Sequence, residues 1–223
     1  ATKFKVNGWK TYTNNGPGWR LDDGAADAPQ VGLATVQKVV DLGIPRICVH
    51  KGISNNNRFA SPADIGPVAK QFPKVKFAVY HSGWEPGIPE GPFTEQTADQ
   101  GTNRLVASLR QAGIQRNSNV YAELGSTWFN LMRSPTEAAH VLGKLLLAVG
   151  QDRVVWGSDS IWYGSPQGQI DAFRTFKISL EFQEKFGYPP LTDELKTKIL
   201  SRNIATFYDL DLSKIKKRAR PTG

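Results

Sequence analysis

The sequence has little of what marks a disulfide-stapled or membrane-spanning protein. Its single cysteine, Cys48, cannot form an internal disulfide, and its apolar neighbours Ile47 and Val49 predict a place in the core. No run of about 18 apolar residues occurs, which argues against a membrane span. The first residues also lack the basic-then-apolar order of a signal peptide. We therefore expect a soluble protein, and the sequence leaves its compartment open between the cytoplasm and export.

Phosphate-binding motifs are missing as well. The turn after the first predicted strand reads Asn-Asn-Gly-Pro-Gly-Trp, residues 14–19, which matches neither G-x-G-x-x-G nor the P-loop pattern. The formal net charge is +8, but five basic residues lie together in a short tail: Lys214, Lys216, Lys217, Arg218 and Arg220. We interpret the tail, residues 213–223, as solvated, with a docking strip for an acidic surface as the alternative. No nucleic-acid partner is expected.

What the sequence does contain is a regular alternation of short β-rich runs with helical patterns. The predicted strands are residues 4–13, 47–50, 76–81, 120–124 and 154–157. Helices are predicted at 29–42, from the Ser61 cap to 71, at 102–112, from a Ser134–Glu137 capping box to 149, at 166–186 and after Thr192. Such alternation favours an α/β fold with a parallel sheet. No linker divides the chain, so residues 1–212 are predicted to form one domain.

Polar side chains stand at the carboxyl end of each predicted strand: Lys10, His50, His81, Glu123 and Asp159. A (β/α)8 barrel of the TIM type collects its active site at this end of its strands. An open nucleotide-binding sheet would instead need the glycine-rich turn that is missing here. The pattern therefore predicts part of a TIM-type barrel.

Three of these strand ends carry two imidazoles and a carboxylate. Neutral imidazole and carboxylate are typical ligands of a zinc-type divalent ion, so His50, His81 and Asp159 are the predicted metal ligands. A metal held in this way lowers the pKa of a bound water to about 7 and polarises a substrate carbonyl.

Two stretches make the chain resemble a known family. They are Arg153-Val-Val-Trp-Gly-Ser-Asp-Ser-Ile-Trp-Tyr-Gly-Ser-Pro and Lys198-Ile-Leu-Ser-Arg-Asn-Ile-Ala-Thr-Phe-Tyr-Asp-Leu. They resemble the last barrel strand and the terminal helix of the second amidohydrolase family, the branch that includes aminocarboxymuconate-semialdehyde decarboxylase. The resemblance implies that the five strands are barrel strands four to eight. It also implies that His50 binds metal, that His81 binds metal or acts on the substrate, and that Asp159 is a ligand and the proton acceptor for the nucleophilic water.

One feature of the family is missing: the first-strand His-x-His pair does not occur. The remaining histidine, His140, lies in a helical segment and is predicted to have a core or surface role. Five strands cut from a barrel would expose two unpaired edges. We therefore expect the other strands to come from a segment outside this chain, from another chain, or from a closed assembly of copies.

Further candidates surround the predicted site. Lys10 and Glu123 are possible additional ligands. Lys10 occupies the place where some amidohydrolases carry a carboxylated lysine, and the alternative is a packed lysine whose amine is hydrogen-bonded. Aromatic loop residues at the predicted mouth favour a planar organic substrate, and Arg58 is a candidate for binding its carboxylate. The predicted substrate-binding residues are Arg58, Trp84, Trp128 and Trp162.

The predicted activity is metal-dependent hydrolysis of an ester, lactone or amide of a small organic molecule. A decarboxylase that uses the same metal site is the nearest alternative. A glycosidase would use Glu123 and Asp159 as paired carboxylates about 5 to 9.5 Å apart, without a metal. A non-catalytic barrel fragment or binding protein is the third alternative, and the missing His-x-His pair favours it.

Overall fold

Five parallel strands, hydrogen-bonded to one another in the order of the sequence, form the sheet of the structure. The computed structural model describes residues 6–214. The strands are β1 (Trp9–Tyr12), β2 (Arg46–His50), β3 (Lys76–Tyr80), β4 (Val120–Glu123) and β5 (Val154–Val155). All five predicted strands are present, and most are shorter than predicted. The predicted start of β1 at residues 4 and 5, and most of the basic tail, lie outside the described residues.

Helices connect the strands, and most of them cover one side of the sheet. They are α1 (Gly32–Asp41), α2 (Ile65–Gln71), α3 (Asn103–Ala112), α4 (Thr127–Leu131), α5 (Pro135–Val149), α6 (Ser160–Tyr163), α7 (Gln167–Thr175), α8 (Leu180–Phe186), α9 (Asp193–Thr197) and α10 (Asn203–Phe207), with a π-helical turn at Lys198–Arg202 between the last two. No helix within residues 6–214 is long and apolar enough to cross a membrane.

The strand side chains alternate between two faces, as the period of two in a β-strand requires. On the outer face Ile47, Val49, Phe77 and Val79 belong to the main core, together with apolar residues of the covering helices. On the inner face a smaller cluster forms around Cys48, Ala78, Tyr121, Val155 and Phe207. Cys48 is therefore buried, as predicted. The inner face corresponds to the lumen of a barrel.

Two predicted helical features are wrong in detail. The stretch predicted as one helix at 166–186 is two helices, because the chain is extended at Phe176 and turns to bury Ile178. The capping box at Ser134 does not form, since Ser134 makes no side-chain cap. Glu137 instead accepts a hydrogen bond from the backbone N–H of Glu90. Its carboxylate thereby ties the long loop after β3 to α5.

The two edges of the sheet differ. At β5 the C-terminal helices cover the edge: the backbone N–H of Trp156 donates to the Ile199 carbonyl at 3.0 Å, and the Asn203 amide donates to the Val154 carbonyl at 2.7 Å. At β1 the only strand partner within residues 6–214 is β2. The five strands are thus part of a barrel, and β1 is its open edge within the part of the chain that the structure describes.

Candidate active site

The two predicted histidines meet at the carboxyl end of the sheet. His50 is the last residue of β2 and His81 follows directly after β3. The Nδ1 atom of His50 lies 3.1 Å from the Nε2 atom of His81. The ring of Tyr12, at the end of β1, stacks on His50 with a centroid distance of 4.9 Å. Adjacent parallel strands in register therefore place three rings side by side.

Hydrogen bonding fixes the proton positions on both rings. The Nδ1 of His81 lies 2.5 Å from the carbonyl oxygen of Gly125, which only accepts, so this nitrogen carries the proton. In the neutral ring the Nε2 of His81 then accepts, and the Nδ1 of His50 donates to it. Burial, together with the neighbouring His81 ring and Lys10 ammonium, lowers the pKa of His50 to about 4. Burial also lowers the pKa of His81, so both rings are neutral at pH 7.

Asp159 lies on the other side of the His81 ring. Its carboxylate is 3.8 Å from His81 Nδ1 and accepts a hydrogen bond from the Ser126 hydroxyl at 2.5 Å. Tyr163 donates to the same hydroxyl at 3.1 Å. The carboxylate is therefore held by the turn after β4, and it approaches His81 from the side of the proton-bearing nitrogen.

Four residues of the site have a strained backbone conformation. His81, Ser82, Ser126 and Asp159 all have positive φ angles, of 65°, 52°, 55° and 47°. Residues other than glycine rarely adopt this backbone conformation, and it costs of order 1–3 kcal/mol at each position. Such strain persists only where the surroundings enforce it, and it is typical of functional sites.

Glu123, at the end of β4, is fully engaged by backbone groups. One carboxylate oxygen accepts from the N–H of His81 at 3.1 Å and the other from the N–H of Gly125 at 2.8 Å. Burial raises its pKa to about 7. In this arrangement Glu123 acts as a hydrogen-bond anchor for two backbone N–H groups.

Lys10 lies on the same inner face. Its ammonium sits 3.4 Å from the centre of the Tyr80 ring and 4.9 Å from that of Tyr12. Burial of the amine lowers its pKa to about 8. No side-chain hydrogen bond holds it among residues 6–214, so its nearest neighbours are aromatic faces.

The fit of a divalent cation to these residues is partial. Two nitrogens that bind one tetrahedral zinc ion at about 2.0–2.1 Å would lie roughly 3.3 Å apart, close to the spacing of the histidine pair. Binding through both would require His50 to carry its proton on Nε2 in place of Nδ1. The N–H of His81 on Gly125 is also the outer hydrogen bond that metal-binding histidines usually make. Asp159, however, faces the opposite nitrogen of His81. No group of three or more metal-binding side chains comes together within the described part of the chain, so these residues alone do not complete a metal site.

The predicted substrate-binding residues are dispersed. Trp128 is in the core, where its indole N–H donates to the Gln169 carbonyl at 2.9 Å, and Trp84 is buried as well. Trp162, next to the site on α6, is 77% exposed. Arg58 pairs with Asp27 and lines a cavity of 740 Å³ whose walls include none of the three predicted ligands. Of these four predicted residues, Trp162 alone is an exposed aromatic beside the site.

Two residues of the site were missed by the sequence reasoning. Gly125 and Ser126 hold His81 and Asp159, respectively, through the hydrogen bonds described above. Their position directly after a strand end was the available signal, because the loops at this end of the strands build the site. His140, by contrast, packs in the core against Phe182 and contacts the Tyr188 hydroxyl at 3.1 Å.

Comparison with known proteins agrees with this architecture. A structure of a candidate 2-pyrone-4,6-dicarboxylic acid hydrolase from Pseudomonas putida is similar, with 14% identity and a TM-score of 0.57, over 95% of this chain and 66% of that one. An amidohydrolase from Burkholderia multivorans with bound HEPES gives the same identity and TM-score, over 93% of this chain and 66% of that one. At this identity the likeness shows the fold alone.

The chain spans 66% of the length of both structures. No curated relative matches it. A sequence model of a family described as amidohydrolase matches residues 1–210. That match covers nearly the whole chain, and it confirms the resemblance seen in the strand-end motifs and the partial TIM-type barrel. The chain belongs to the amidohydrolase family.

Proposed function

We propose that this chain carries the catalytic half of a metal-dependent hydrolase that acts on an ester, lactone or amide of a small organic substrate. The observation that supports it most is the pair of neutral imidazoles, His50 and His81, with facing nitrogens 3.1 Å apart. Asp159 lies beside them. A bound divalent ion, for which zinc is our proposal, would supply an activated water and polarise the substrate carbonyl.

The chain's own residues would position and exchange protons. The hydrogen bond to Gly125 orients the His81 ring and keeps its proton on Nδ1. The Asp159 carboxylate, aligned by Ser126, is only partly exposed and is placed to accept a proton from an attacking water. Trp162 at the mouth would cover the substrate. We therefore assign His81 and Asp159 as the acid and base residues and His50 as a metal ligand.

A glycosidase is less well supported, because both carboxylate oxygens of Glu123 are occupied by backbone N–H groups. An acid catalyst would need one of them free. A decarboxylase with the same metal site stays as the alternative reaction, and it is separated from hydrolysis by the product that is released.

We also propose that further strands dock at the β1 edge. The described residues provide two nitrogens but no complete metal site, and β1 has an unpaired edge whereas the β5 edge is covered. A second copy or another segment would add its strands beside Trp9–Tyr12. Light scattering on the 223-residue chain should show self-association, and a stable monodisperse monomer would contradict a closed assembly of copies.

The test of the function compares three histidine or aspartate variants of the 223-residue chain. His50→Ala should lose bound metal, measured by elemental analysis, together with ester hydrolysis, and Asp159→Ala should lose ester hydrolysis. His140→Ala is the matched control, because His140 packs in the core away from the pair. Full metal occupancy in His50→Ala would refute the assignment.

Two further measurements separate the alternative functions. Carbon dioxide released from an enoic or aromatic acid, without hydrolysis, would favour the decarboxylase. A metal content near zero in the wild type would favour a non-catalytic protein.

A further inference from the structure

Two short helices at the active-site end of the sheet are joined by a chain of hydroxyl groups. Ser126 lies directly before α4, Asp159 lies directly before α6, and Tyr163 is the last residue of α6. The Tyr163 hydroxyl donates to the Ser126 oxygen at 3.1 Å, and the Ser126 hydroxyl donates to the Asp159 carboxylate at 2.5 Å. The chain therefore begins and ends on the same helical turn and passes through the serine of the other helix.

A ring stack holds the tyrosine in place. Phe129, on α4, lies face to face with the Tyr163 ring, with a centroid distance of 3.7 Å and an interplanar angle of 14°. Phe129 follows Ser126 by three residues, and residues with this spacing are neighbours on a helix surface. The stack on Phe129 therefore brings the Tyr163 hydroxyl to the serine.

The Tyr163 hydroxyl decides where the serine proton points. A serine hydroxyl has one proton and two lone pairs, and it rotates to suit its partners. Because Tyr163 donates to the Ser126 oxygen, the serine proton is directed away from the tyrosine and onto the carboxylate. Ser126 is only 4% exposed and Tyr163 is half-buried, so solvent has limited access to this hydrogen bond.

The Asp159 carboxylate depends on this single donor. Within residues 6–214 the Ser126 hydroxyl is the only group that donates a hydrogen bond to it. Its other polar neighbour, His81 Nδ1, lies 3.8 Å away, which is beyond hydrogen-bond distance. The side chain is 27% exposed, so packing alone does not fix it. The serine therefore sets the direction of the carboxylate, and the tyrosine sets the direction of the serine.

We propose that Tyr163 is a positioning residue, which acts through the Ser126 hydroxyl to keep the Asp159 carboxylate turned toward the His81 ring. The proposal rests on the hydrolase function above, and it adds a residue that acts without contacting the substrate. Phe129 supports this role by holding the tyrosine ring. Loss of the Tyr163 hydroxyl alone should therefore slow the chemical step and leave substrate binding unchanged.

A double-mutant cycle on the zinc-loaded 223-residue chain tests the path through the serine, with 4-nitrophenyl acetate as the ester. Tyr163→Phe keeps the ring stack and should lower kcat about 3- to 10-fold, the worth of one neutral hydrogen bond, with KM unchanged. Ser126→Ala should lower kcat about 10- to 100-fold, because the lost bond is to a charged group. Adding Tyr163→Phe to Ser126→Ala should then change kcat by less than about twofold.

Nuclear magnetic resonance on the metal-free protein, with isotope-labelled histidine, gives a readout that needs no turnover. The chain has three histidines, so the signals of all three rings are easily assigned. Asp159→Asn should move the Nδ1 resonance of His81, and Tyr163→Phe should move it in the same direction by a smaller amount. Tyr188→Phe is the matched control, because it removes a tyrosine hydroxyl that lies 3.1 Å from His140 Nδ1. It should move only the His140 signals and leave kcat unchanged.

The outcomes separate the role of the tyrosine from the hydrolase function. An unchanged His81 Nδ1 resonance in Tyr163→Phe would overturn the proposal. A loss of kcat from Tyr163→Phe that is as large in the Ser126→Ala background as in the wild type would also overturn it, and so would a rise in KM with kcat unchanged. Absence of ester hydrolysis by the wild type, with the His81 resonance moved as expected, would count against the hydrolase function and in favour of the positioning role.

Discussion

The carboxylate of Glu123 accepts a hydrogen bond from the backbone N–H of His81, 42 residues earlier in the chain, at 3.1 Å. Its other oxygen accepts from the N–H of Gly125, and Gly125 in turn receives the ring N–H of His81. One buried carboxylate thus fixes both the backbone and, through the turn after β4, the ring of the same histidine. This explains how His81 keeps a positive φ angle in the site.

We expect Glu123→Gln to destabilise the protein and misplace His81, although the side chain keeps its size. Glutamine has one acceptor oxygen, so its amide group would face one of the two backbone N–H donors. The expected loss is about 1–3 kcal/mol in the free energy of unfolding, measured by urea denaturation. Glu184→Gln, at an exposed position of α8, is the control and should stay within roughly 0.5 kcal/mol of the wild type. Equal stability of the two variants would contradict the anchor role.

A methyl group at residue 157 should displace the same carboxylate. A Cβ built on Gly157 would lie 1.6 Å from Glu123 Oε1, whereas one built on Gly168 meets nothing within 4 Å. Gly157→Ala is therefore expected to destabilise the fold by more than about 2 kcal/mol through overpacking. Gly168→Ala, within α7, should be neutral or stabilising by up to roughly 1 kcal/mol. Thermal denaturation of both variants checks the contrast, and comparable melting temperatures would disprove the close contact.

The sequence contains enough information for the sheet and for the two histidines. Strand ends such as those at His50 and His81 are visible as apolar β-rich runs that stop at a polar residue, and parallel strands bring those ends to one edge. The identity of the paired residues therefore follows from local pattern and topology together. The same reasoning places Asp159 near them but does not give the side of the ring that it faces.

What the sequence did not reveal depends on contacts between distant segments. The sequence predicts Trp128 as a substrate-binding residue in a loop at the mouth of the site. In the structure its indole N–H donates to the carbonyl of Gln169, and the side chain is buried in the core. Ser126 aligns Asp159 only because the turn after β4 adopts a positive φ angle, which no residue type in the sequence announces. The capping box at Ser134 does not form, and Glu137 accepts instead from the backbone N–H of Glu90 in the loop before α3.

Asp22 should make the stability of the fold depend on pH in the acid range. Burial acts to raise the pKa of this carboxyl, but two hydrogen bonds from Arg20 at 2.8 Å and one from Gly24 outweigh it, so the folded pKa is lowered. A lowered folded pKa means that the carboxylate stabilises the fold above the unfolded pKa of about 3.9, and that this contribution is lost as pH falls through the folded value. Asp22→Asn should thus cost stability at pH 7 and progressively less below about pH 4.

Urea unfolding of Asp22→Asn and the wild type, at pH 7 and near pH 3.5, measures this difference. Asp27→Asn is the comparison, because the Arg58–Asp27 pair is 61% and 66% exposed whereas the Arg20–Asp22 pair is 24% and 11% exposed. Solvent screening should make its effect smaller at pH 7. A cost for Asp22→Asn that is independent of pH would show that the carboxylate charge is not what stabilises this loop.

Two lysines that each pair with a carboxylate should differ sharply in what their removal costs. Lys144 and Glu90 are 3% and 2% exposed, and Lys144 also donates to the Gly91 carbonyl and the Asn103 amide oxygen. Lys144→Met would leave the Glu90 carboxylate buried with only Thr102 to compensate it, which should cost about 3–5 kcal/mol. The loop after β3, which Glu90 ties to α5, should lose its protection from proteolysis.

Lys198→Met is the matched substitution at the surface. Lys198 and its partner Asp152 are 25% and 40% exposed, and such pairs contribute roughly 0–1 kcal/mol. Adding Glu90→Gln to Lys144→Met should recover part of the stability, because the uncompensated charge is then removed. If the double variant is as unstable as Lys144→Met alone, the cost arises from packing of the lysine stem, and the buried charge is not its source.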